Sequence, residues 1–130
     1  MIDLHVPVSP GELLDKITIL RIKSQRLADA AQLANVRLEL ELLQRTWATL
    51  GAATEAVAAD EQALQAVNEQ LWDIEDRIRD KEAARSFDQG FIELARAVYH
   101  RNDERAAIKK RINVALGSRI VEEKSYQPYR

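Results

Sequence analysis

The sequence predicts an all-α protein: an antiparallel four-helix bundle in which the third and fourth helices form a long hairpin, with short extended arms at both ends. Three observations predict it. Alanine, leucine, glutamate, arginine and glutamine, all strong helix formers, dominate the chain. Only four glycines and three prolines interrupt 130 residues. Apolar residues recur at helical spacing over most of the length.

The first eight residues are the exception. Ile2, Leu4, Val6 and Val8 alternate with Asp3 and His5, the pattern of a short strand or extended arm. Ser9-Pro10-Gly11-Glu12 then gives the best local signal in the chain. Ser9 suits an N-cap, Pro10 the first helical position, and Glu12 the acid of a capping box. Helix one is expected over 10–28, with Leu13, Ile17, Leu20 and Leu27 in one stripe and Leu14 at its edge. Ile19 and Ile22 lie nearly opposite. Two apolar faces mean that this helix is sandwiched between neighbours or meets another subunit.

Asp29 caps helix two, expected over 30–50. Val36, Leu40, Leu43, Trp47 and Leu50 form its stripe, and Leu38 and Leu42 fall outside it. Gly51 fits the position after a helix end, and Thr54 is placed to cap helix three, expected over 54–85. Val57, Leu64, Leu71 and Ile78 take one heptad position and Val67 and Ile74 the other, a coiled-coil-like seam interrupted by Asp60 and Lys81. Ser86 to Gly90 turn the chain into helix four, 88–116, which Gly117 ends. Helices three and four, at roughly 30 residues each, give a hairpin about 45 Å long. The tail, 119–130, is an extended arm laid on the bundle or paired with the N-terminal strand. One helical domain over 1–130 is expected.

Helix four carries the candidate site. Phe91, Leu94, Val98, Ile112 and Leu116 share a face, and its middle holds Asn102, Arg105 and Lys109. Burying unpaired charge costs several kcal/mol. The two cations therefore pair with carboxylates, line an anion pocket, or stand in water. Glu75 and Glu82 of helix three and Asp15 of helix one are candidate partners. Lys16, Arg21, Glu75, Arg79, Asn102, Arg105 and Lys109 together make a candidate site for a phosphate or carboxylate.

Composition narrows the alternatives. Nineteen basic residues stand against 21 acidic ones, a balance unlike that of a protein that coats nucleic acid. There are no cysteines and only two histidines, His5 and His100, so no cofactor or metal site is expected. No nucleophile pairs with His100. The opening residues lack a signal peptide's pattern and no apolar run reaches bilayer length, so a cytoplasmic protein without a membrane partner is expected.

Val8-Ser9-Pro10-Gly11-Glu12-Leu13-Leu14-Asp15-Lys16-Ile17-Thr18-Ile19-Leu20 resembles a bacterial family of about this length with no assigned function. So do Val67 to Asp76, Phe91 to Tyr99, Asn102 to Lys110 with Ile112-Asn113, and Val121 to Tyr126. The likeness spans nearly the whole chain and implies no activity. The residues themselves favour a non-catalytic interaction or scaffold protein, homo-oligomeric through Ile19, Ile22, Leu38, Leu42, Tyr126 and Tyr129, because extra apolar stripes on a small bundle need a covering surface. The alternative is a binding protein or enzyme for a small anionic metabolite, using the helix-four polar band.

Overall fold

The computed structural model describes residues 1–129. Helices α1 (Pro10–Arg26), α2 (Ala30–Ala48), α3 (Ala58–Ala83) and α4 (Gln89–Ala115) form an all-α bundle, and the described residues contain no strand. Ser9 caps α1 as its chemistry dictates: its Oγ accepts the Glu12 N–H at 3.2 Å, with Pro10 at the first turn. The Asp29 carboxylate accepts the Gln32 N–H at 2.9 Å to start α2, and Asp88 accepts the Phe91 N–H at 3.0 Å to start α4.

The link from α2 to α3 departs from expectation. Thr54 does not cap a helix. Gly51, at φ +60°, redirects the chain into a 3-10 segment, Gly51–Val57, and α3 follows from Ala58 with no side-chain cap. The Thr54 hydroxyl instead donates back to the Gly51 carbonyl at 3.0 Å. The later start shortens α3 to 26 residues against 27 for α4, a hairpin of about 40 Å and not 45 Å at 1.5 Å per residue. The two polar breaks in the α3 seam turn out to pin that hairpin. Asp60 accepts from Arg111 Nε at 3.0 Å near one end, and Lys81 donates to Asp88 at 2.8 Å across the turn at the other.

Helix α1 is the hub, packing on α2, α3 and α4, whereas α2 packs chiefly on α1. This resolves the two-faced pattern of helix one: it is sandwiched within its own chain, and Ile22 is fully buried. The core joins Leu13, Leu14 and Ile17 of α1 to Trp47, Val57, Leu64, Val67, Ile108 and Ile112. It lies where α1 meets the first half of α3 and the second half of α4. Beyond it, Leu71, Ile74 and Ile78 are only partly covered.

Both arms are extended, without strand pairing. Ile2, Leu4, Val6 and Val8 are all exposed. The C-terminal arm does not pair with them. A left-handed Gly117 (φ +65°) closes α4 in a Schellman motif, with the Ser118 N–H donating to the Asn113 carbonyl at 2.9 Å. The chain from Ser118 to Tyr129 then doubles back along α4 as a strap.

Candidate functional site

The site begins with the spacing of α1. Gly11, Asp15, Thr18 and Ile22 stand at helical intervals, and all are buried. They form the stripe that meets α3 and α4. The Asp15 carboxylate, 1% exposed, accepts from Arg105 at both oxygens, with Nε to Oδ1 at 2.8 Å and Nη2 to Oδ2. This fork is the geometry for which a guanidinium is pre-shaped. Asn68 of α3 donates through Nδ2 to Asp15 Oδ1 and to Thr18 Oγ1, each at 2.9 Å. The Thr18 hydroxyl in turn donates to the Asp15 carbonyl at 2.8 Å. One polar knot therefore ties three helices together. Its hydrogen bond to Asp15 holds the Arg105 guanidinium above its ordinary pKa against the opposing effect of burial.

One turn towards the start of α1, Glu12 does not close a capping box. Its carboxylate reaches across to α4 and accepts from Lys109 Nζ at 2.7 Å. Lys109 is itself buried, and its second partner, Glu122 at 3.0 Å, comes from the strap. Burial alone would lower the Lys109 pKa; hydrogen bonds to Glu12 and Glu122 outweigh it and leave the ammonium above its ordinary value. Glu122, bonded to Lys124 and Lys109, is held at about 2. Gly11 is what lets α1 come this close. Its N–H donates to Asn113 Oδ1 at 2.7 Å, and a β-carbon there would stand 2.6 Å from the Lys109 carbonyl oxygen.

The strap bridges a concavity of about 1040 Å³ on α4. Its walls mix apolar Val98 and Ala106 with Tyr99, Asn102, Arg105 and Lys109 from α4, and Glu122, Lys124, Tyr126 and Tyr129 from the strap. At its far end the Tyr129 hydroxyl donates to Asp103, and the Tyr129 ring meets Tyr99 and His100 edge-on at 4.8 and 5.2 Å between centroids. A second cavity, about 780 Å³, lies at the hairpin tip among Ile74, Lys81, Leu94 and Ala97, away from the charge network.

Of the residues singled out in the sequence, Asn102, Arg105 and Lys109 line the strap cavity together. The other four lie elsewhere. Lys16 is exposed on α1, Arg21 is bound to Glu61 at 2.7 Å, and Glu75 pairs with Arg79 along α3 at 3.5 Å. The carboxylates that meet Arg105 and Lys109 are Asp15, Glu12 and Glu122, and not those of α3. Sequence reasoning missed Thr18 and Asn68 altogether, and Ile108 of the core. A signal existed in the i, i+4, i+7 spacing of Gly11, Asp15 and Thr18, but it is polar and apolar periodicity passes over it. Among the surface candidates, Ile22 is buried and Ile19 half-buried, while Leu38, Leu42, Tyr126 and Tyr129 are exposed. No group of three or more His, Asp or Glu side chains among the described residues is placed to hold a metal ion, and no described helix is long and apolar enough to cross a membrane.

Fold and site together define an all-helical bundle with a buried ion-pair knot and a strap-covered cleft. The chain belongs to DUF6165, a family of unknown function, whose family model matches residues 4–129. No curated protein matches the chain, and no solved structure does.

Proposed function

We propose that this protein is a non-catalytic interaction module that pairs with a second copy of itself. The observation that carries this reading is that one chain leaves two apolar elements uncovered. Its N-terminal arm exposes Ile2, Leu4, Val6 and Val8, and the outer face of α2 exposes Leu38 (60%) and Leu42 (43%). An interface between stable partners takes roughly 800 Å² from each. Leu38 and Leu42 alone are too small for that, so the arm must contribute. Two copies related by a twofold axis satisfy both needs at once, each arm lying on the partner's α2, since such an interface is self-complementary.

Light scattering at micromolar concentration tests the proposal. The expected mass is that of two chains, falling to one in the Leu38→Glu, Leu42→Glu double variant and in Leu4→Asp. A wild-type chain that stays a monomer throughout this range, or a dimer indifferent to all three substitutions, overturns it.

A further inference from the structure

We infer that the cleft beneath the strap is a binding site for a small aromatic carboxylate, and that Glu122 occupies its anion position when no ligand is there. The argument starts from Lys109. Its ammonium is buried at the cleft floor and answers two carboxylates. Glu12 is fixed by α1, whose approach is locked by Gly11. Glu122 arrives on a segment whose residues 121–129 are all exposed. Its side chain is 41% exposed, so water reaches this ion pair and its acid partner can exchange. One of the two charges facing a buried lysine is thus exchangeable while the other is structural.

The position that Glu122 vacates at Lys109 sets the ligand's class. Arg105 is engaged by Asp15 at both oxygens, and Glu12 keeps its share of Lys109. Withdrawal of Glu122 together with its partner Lys124 removes one charge of each sign and leaves a vacancy for one carboxylate at the Lys109 ammonium. A carboxylate matches that vacancy. A phosphate dianion would bring excess charge towards Glu12 and Asp103. The shape sets the rest. The strap fastens itself with a carboxylate and a phenol, Glu122 at Lys109 and Tyr129 against Tyr99 and Asp103. A molecule with both groups replaces both fastenings. The cavity, about 1040 Å³, stands at the upper end of the roughly 300–1,000 Å³ typical of small-molecule sites.

A tethered group competes at an effective concentration in the millimolar range, so the strap masks the site from weak ligands. The probe is 4-hydroxyphenylpropanoate, with its neutral amide and inorganic phosphate as controls, titrated into the full chain and followed by NMR. The acid should bind wild type weakly and the Glu122→Gln variant about tenfold tighter or more, because the tethered competitor has lost its charge. Resonances of Tyr99, Asn102 and Lys109 should move, and the amide and phosphate should bind neither protein measurably. Glu122 lies outside every helix, so this variant keeps the fold. Equal affinity in both proteins, an amide as good as the acid, tighter binding of phosphate, or no binding of the acid to Glu122→Gln each overturns the inference.

Discussion

Arg105→Met isolates the buried knot. It removes a charge-assisted fork from a carboxylate that is 1% exposed and leaves Asp15 with Asn68 as its side-chain donor. Breaking a buried pair by deleting one partner costs about 3–5 kcal/mol, most of it the penalty for the charge left behind. The Arg105 side chain is itself 30% exposed, so water reaches part of the gap and the lower end, about 3 kcal/mol, is expected. In a domain of this size each kcal/mol lowers the Tm by roughly 3–5 °C, which gives a drop of about 10–15 °C. Urea unfolding followed by circular dichroism should show a lower midpoint with an unchanged slope. The second half of the test is the Asp15→Asn, Arg105→Met double variant, in which no orphaned charge remains. It should recover more than half of the loss, a coupling of about 1.5 kcal/mol or more. A single-variant loss under about 1 kcal/mol would place the pair among ordinary surface salt bridges and refute the reasoning. So would strict additivity of the two substitutions.

Two further outcomes follow from the same geometry. Gly11→Ala improves helix propensity by at most about 1 kcal/mol, but its methyl group would overlap the Lys109 carbonyl at 2.6 Å, and overpacking of this kind costs about 1–3 kcal/mol. The overlap wins, the Tm falls, and an unchanged or raised Tm in a thermal melt would contradict the close approach. Acid should release the strap: Glu122, held at about 2 against its ordinary 4.5, contributes attachment that is complete above 4.5 and lost as the pH falls towards 2. NMR signals of Tyr126 and Tyr129 report that release, and a strap already free at pH 5 counts against the Glu122–Lys109 contact.

Parts of this arrangement are legible in the sequence because they depend on near neighbours. Ser9-Pro10 announces the start of α1 through local capping chemistry, and the wheel of α4 places Arg105 and Lys109 inward from their position between apolar ends. Other parts depend on which helices meet. Nothing within α4 indicates that Arg105 and Lys109 pair with α1 and the strap and not with α3, so Glu75 and Glu82 looked as eligible as Asp15. The buried stripe of α1 hides for a different reason. Asp15 and Thr18 are polar, and a hydrophobic-period reading assigns them to the wet side, although Gly11, Asp15, Thr18 and Ile22 are all buried. At the N-terminus the alternation allowed a short strand or an extended arm, and it forms no strand because alternation makes a segment capable of pairing without supplying a partner, and the described residues offer it no second strand.

The polar stripe also explains how a strap can find its place on α4. Apolar surfaces tolerate sliding by a turn, whereas paired charges do not. Asp15 meets Arg105, and one turn away Glu12 meets Lys109, so two contacts fix the register of α1 along α4. A shift of one turn that set Glu12 against Arg105 would leave the buried Lys109 ammonium without its α1 partner, and a buried charge short of a partner is costly. Gly11 holds the same register by shape, since its N–H must meet Asn113 where the backbones nearly touch. Lys109 is thereby fixed at the edge of the α1–α4 contact, with Glu12 on its inner side and its outer side left for the strap. The motif that starts α1 and the cation that anchors the last segment of the chain are thus parts of one device, 97 residues apart in sequence.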